Sequence, residues 1–96
     1  MVSINKELEA AKAAKAAINA LATTPKSAVL ATLGKANNAA ILNLSSGGAL
    51  NEARAKVAIA LSNLIHEHGP PTPHSIYKAK HAIEAWTREL EAALAA

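Results

Sequence analysis

Apolar side chains recur along this chain every three or four residues, the spacing of a helix with one buried face. Four such stretches, separated by turn-forming residues, predict helices over about 4–22, 25–45, 50–68 and 73–94. In the first, Ile4, Leu8, Ala11, Ala14, Ile18, Leu21 and Ala22 fall on one stripe, interrupted by Lys15. A lysine is tolerated there because its aliphatic stem lies along apolar surface while the ammonium reaches water. In the second, Val29, Leu30, Leu33, Ala36, Ala40, Ile41 and Leu44 form the apolar face, behind Thr24 as N-cap and Pro25 at the first helical position. The third points Leu50, Ala53, Val57, Leu61, Leu64 and Ile65 inward and stops at Gly69. The fourth opens on Thr72-Pro73. It sets Ile76, Ile83 and Leu90 in heptad register, interleaved with Ala79, Trp86 and Ala93 and followed by Leu94. Glu84 and Arg88 are spaced for a pair along its outer face.

Four amphipathic helices on short connections predict one all-α domain, two helical hairpins packed as a four-helix bundle. The second helix is its weak member. Gly34 signals either a close helix crossing or a soft point, and Asn37 projects at mid-stripe, where a buried amide fixes register or lines a polar pocket. Leu42 and Ile59 fall off the main stripes and are candidate interaction residues for a partner protein or a second copy. Trp86 joins them as the one large aromatic on a stripe, where a core position competes with an interface anchor. Thr24-Pro25-Lys26-Ser27 is echoed by Thr72-Pro73-His74-Ser75, each opening the second helix of a hairpin. Thr-Pro is a common helix opener, and two units are too few for a solenoid.

Composition changes the picture in one respect. Of 96 residues 25 are alanine, and there is no Asp, Gln, Phe or Cys. Alanine favours helix because it loses no side-chain entropy, yet it removes little area from water, so the core is thin. Such a composition is as compatible with a designed or engineered chain as with a natural one. Without cysteine there is no disulfide framework and no thiolate chemistry, which fits a reducing compartment. The first ten residues include Glu7 and Glu9 with no apolar run behind a basic start, so no secretory leader is expected. No apolar stretch approaches the ~20 residues a membrane span needs. The expectation is a soluble cytoplasmic protein with no membrane insertion. The net charge of +3 is spread over several helices, so no nucleic-acid partner is expected either.

Candidate chemistry rests on the histidines. His66 and His68 close the third helix and His74 opens the fourth, so a short connection gathers all three at one end of the bundle. Neutral imidazoles converging from two helix ends can hold a divalent metal such as Zn²⁺, with Glu67 as a further oxygen ligand. Against this, a helix C-terminus favours histidine through its dipole alone, and the spacing of His66 and His68 turns their rings apart. His74, Tyr77 and His81 share a face of the fourth helix, but two full turns separate the histidines. Without Asp there is no Ser-His-Asp arrangement, and the seven glutamates read as scattered over outward faces. Gly47-Gly48 follows a helix and lacks a phosphate-loop pattern, so it reads as a linker. No cofactor and no enzymatic activity are expected.

These observations favour a binding or scaffold bundle acting through protein–protein contact or self-association. The alternative is a metal- or small-ligand-binding bundle using the His66, His68 and His74 end. In size, charge and helix content the chain also looks like the small cytoplasmic immunity proteins that protect bacteria from their own bacteriocins. That likeness rests on no motif.

Overall fold

Ser3 begins the first helix. Its hydroxyl accepts a hydrogen bond from the Lys6 amide at 3.2 Å, satisfying one of the donors a helix start leaves free. The computed structural model describes residues 2–96, and among them the chain forms four α-helices and no strand. These are α1 (Ile4–Ala20), α2 (Leu30–Leu42), α3 (Ala49–His66) and α4 (Pro73–Ala95), with a short 3₁₀ turn over Lys26–Ala28. Each helix packs against its neighbours in chain order, and α4 closes the ring against α1. The result is a four-helix bundle about 39 Å long and 20 Å across.

The core follows the predicted stripes in three helices, except at their far ends, where Ala22 beyond α1 and Leu94 in the last turn of α4 are exposed. Ala11, Ala14 and Ile18 of α1, Val57, Leu61 and Leu64 of α3, and Ala79, Ile83, Trp86 and Leu90 of α4 are all buried. Alanines from α1 and α2 fill much of the remainder, so Trp86 and a few leucines and isoleucines supply most of the apolar volume. At the start of α4, Thr72 and Ser75 form a reciprocal cap. Thr72 Oγ1 accepts from the Ser75 amide, and Ser75 Oγ from the Thr72 amide, each at 3.1 Å.

The second helix departs from expectation at both ends. Instead of opening at Pro25, the chain stays extended there and makes the 3₁₀ turn, with the Val29 amide bonded to the Lys26 carbonyl at 3.0 Å. Thr24 provides no side-chain cap. Lys26 is held elsewhere: its ammonium donates to the carbonyls of Leu64 and Glu67, at 3.0 and 2.7 Å, neutralising the C-terminal end of α3. This anchor fixes the segment outside the helix. At the far end α2 stops at Leu42, because Asn43 turns its side chain into the interior. The first and third helices also end earlier than predicted, at Ala20 and His66, and the fourth runs one residue further, to Ala95.

Three residues assigned to the inner face of the second helix lie outside. Leu30, Ile41 and Leu44 are exposed, because α2 buries the neighbouring line of Leu33, Ala36 and Ala40. Asn37 is half-buried, and its enclosed Oδ1 accepts no hydrogen bond from the protein, so it pins no register. Gly34 marks no close crossing either, since a Cβ added there would meet nothing within 4 Å. It is simply a soft point in a helix. Gly34→Ala should therefore stabilise the bundle by about 0.5–1 kcal/mol, by lowering the backbone freedom of the unfolded chain. The expected readout is a thermal midpoint raised by a few degrees; a lowered midpoint would show that helix contacts depend on the glycine.

Candidate functional site

Glu7 sits at the centre of the α1 stripe, one turn from both Ile4 and Ala11, and it is fully buried. Its carboxylate receives four hydrogen bonds from three other helical elements. Arg54 of α3 forks onto it, Nε to Oε2 at 2.8 Å and Nη2 to Oε1 at 2.7 Å. Asn43, the residue closing α2, donates Nδ2 to Oε1 at 2.8 Å, and Trp86 of α4 donates Nε1 to Oε2 at 2.8 Å. A second layer holds the donors in place. Arg54 Nη1 reaches the Asn43 carbonyl at 3.0 Å and Asn51 Oδ1 at 3.1 Å, while the Asn43 amide pairs with both backbone groups of Val2.

The expectation that all seven glutamates lie on outward faces is thus corrected at Glu7. So is the place of Trp86 among the interaction residues: it is fully buried, its indole body in the core and its N–H on the carboxylate. Burial pushes the Glu7 carboxyl up, but the hydrogen bonds from Arg54, Asn43 and Trp86, with the guanidinium charge, outweigh it and hold the group below its ordinary value. An ionised carboxylate with this many donors is a strong acceptor already satisfied. Sealed from solvent, it has no free lone pair to offer a substrate. Its work is to hold helices.

The histidine end lies at the opposite end of the bundle. His66 is exposed, its Nδ1 2.8 Å from the carbonyl of Ser62 in its own helix, and His68 and His74 are exposed as well. Glu67 accepts from Ser75 Oγ at 2.8 Å and from the Thr72 amide at 3.3 Å, which commits it to the α4 cap. Among the described residues no group of three His or Glu side chains is placed to hold a metal ion. The structure does not bring His66, His68 and His74 together as a ligand set. His81 packs instead against Tyr77, ring centroids 4.3 Å apart and planes tilted by 50°.

Two grooves open to solvent lie on opposite sides of the ring. The α1/α2 groove, about 1050 Å³, is floored by Ala10, Ala13, Ala31 and Gly34 and edged by Leu42, Lys6, Glu9 and Lys35. The α3/α4 groove, about 410 Å³, runs between Ile59 and Tyr77 and is edged by Lys56, Lys78 and His81. Leu42 and Ile59 are 58 % and 63 % exposed, so both predicted interaction residues are open, but they belong to separate surfaces. The trough between α1 and α2 follows directly from small side chains at a helix pair, where nothing fills the outer crease.

No protein-family model matches the chain, and no curated protein or solved structure matches it either.

Two outcomes test the carboxylate's role. Arg54→Ala leaves an uncompensated buried charge and should cost about 3–5 kcal/mol, a large share of a small domain's stability; a loss below about 1 kcal/mol in urea unfolding would contradict the structural reading. The pH dependence has a definite sign. Because the folded-state pKa of Glu7 is lowered, its contribution is fully present above the ordinary value of 4.5 and is lost as pH falls below it. The urea midpoint should fall in that range, and Glu7→Gln should make the fall shallower while lowering stability at neutral pH.

Proposed function

We propose that the protein acts by binding rather than catalysis, as a helical scaffold that associates with its own copies through the α1/α2 groove. The observation that carries this reading is the groove itself: a long apolar crease with Leu42 exposed at its edge and charges of both signs around it. A two-fold contact sets one patch against itself, so a patch of single sign repels its copy whereas a mixed one attracts. Glu9 of one molecule then faces Lys6 or Lys35 of the other. Small residues on the floor favour close approach of a helix pair, since backbones can near one another without large side chains intervening. The sealed Glu7 cluster supports the same reading from the other side, because the strongest polar group in the molecule is already spent on folding. A rigid bundle with its polar chemistry enclosed and its apolar surface outside is suited to contact.

Sedimentation or light scattering across concentration should reveal a dimer, and Leu42→Glu should return it to monomer while leaving the helical circular dichroism unchanged. A wild-type chain that stays monomeric up to about 1 mM has less than ~4 kcal/mol of association free energy and removes this reading.

A further inference from the structure

We propose that the α3/α4 groove is a docking site for an acidic amphipathic helix of another protein. This rests on the reading of the molecule as a binding scaffold and adds the chemistry of a partner. The floor is apolar and open. Ile59 on α3 and Tyr77 on α4 are 63 % and 60 % exposed, and the small Ala60 and Ala82 leave a trough between them. The rim carries two lysines, Lys56 rising from α3 and Lys78 from α4, with the His81 ring beside them. No acidic residue is among those that line the groove. The one carboxylate bound to the rim is Glu52, which meets Lys56 at 3.1 Å along the surface of α3. Both groups are well exposed, so this pair is weak and a partner carboxylate competes with it readily.

Charge sign decides among the possible occupants. A second copy of this chain would bring the same two lysines and only a carboxylate, Glu52, that Lys56 already holds, a poorer match than the mixed α1/α2 groove offers itself. A nucleic-acid strand gains most of its affinity from many phosphate contacts, and two lysines beside an exposed isoleucine give little of that. An acidic helix with apolar residues at i, i+4 and i+7 satisfies both parts of the surface at once. Its apolar line covers Ile59 and the Tyr77 ring, and its glutamates face Lys56 and Lys78.

The test uses the full chain and a synthetic fluorescein-labelled peptide with leucines at i, i+4 and i+7 and glutamates elsewhere, read by fluorescence anisotropy. Saturable binding should weaken at least about tenfold between low and high salt, as an electrostatic rim requires. Ile59→Glu should weaken it at least about tenfold, and the pair Lys56→Glu with Lys78→Glu should transfer preference to a lysine-bearing version of the peptide. Ile59 and both lysines are exposed, so circular dichroism and the melting midpoint of these variants should stay near wild type. The proposal is overturned if the acidic peptide fails to saturate, if Ile59→Glu binds as well as wild type, or if a single-stranded DNA oligomer binds as tightly. Leu42→Glu should leave peptide affinity unchanged; a loss there would move the site to the other groove and overturn the assignment. Because self-association is read by sedimentation and peptide docking by anisotropy, either reading can fail without the other.

Discussion

A single carboxylate at Glu7 is the point at which all four helices meet. The guanidinium of α3, the amide at the end of α2 and the indole of α4 each donate to it, and α1 supplies it. Geometry of this kind is demanding. A sliding or rotation of any helix by a fraction of a turn would leave a buried donor, or the anion itself, without a partner, at a cost of several kcal/mol. Alanine-rich faces supply no comparable discrimination, because small smooth side chains interlock weakly and tolerate sliding. The register of this bundle is therefore set by polar contacts more than by the shape of its apolar core.

That division of labour explains a tension in the energetics. Buried ion pairs seldom add net stability relative to well-packed apolar residues, since desolvation offsets the attraction. Here the fork from Arg54 is completed by Asn43 and Trp86, and Asn51 and the Val2 backbone hold the donors. Satisfying every lone pair brings the arrangement close to break-even, and what it adds is uniqueness. Asn37 shows the contrast. It occupies the polar position that a sequence pattern would choose for register, yet its oxygen accepts no hydrogen bond from the protein, so it pins no helix to another.

How far the sequence reveals this follows from which signals are local. Helix period and turn residues are local, so four helices in a bundle and the stripes of α3 and α4 were legible. The 3₁₀ turn before α2 was not, because Thr-Pro is an adequate opener, and what overrides it is Lys26 reaching carbonyls at the end of another helix. Glu7 was missed, read with the other glutamates as outward-facing, although a signal for it was there. Its position between Ile4 and Ala11 puts it on the buried line of α1, and a charge there needs an opposite charge of comparable burial. Arg54, beside Ala53 at the margin of the α3 stripe, is that group. Pairing the two required knowing that their side chains reach each other across the diagonal of the bundle, which the spacing along either helix does not show. The histidines did not come together for the opposite reason: proximity along the chain suggested convergence, while His66 was bonded back to Ser62 within α3 and Glu67 to the cap of α4.

The same end-to-end asymmetry shapes the outer surface. Fixing the register at Glu7 leaves the helix creases to whatever side chains the stripes place there, and the two sides differ in kind. Between α1 and α2, alanine and glycine make a wide trough with both signs of charge at its edges. Between α3 and α4, larger residues narrow the trough and the rim carries lysines without a lining acid. A surface of mixed sign is compatible with itself, whereas one of single sign needs a complement from elsewhere. The two grooves lie on opposite sides of the ring, so what covers one does not cover the other. The buried carboxylate thus does more than join four helices: by fixing their register it fixes which side chains line each groove.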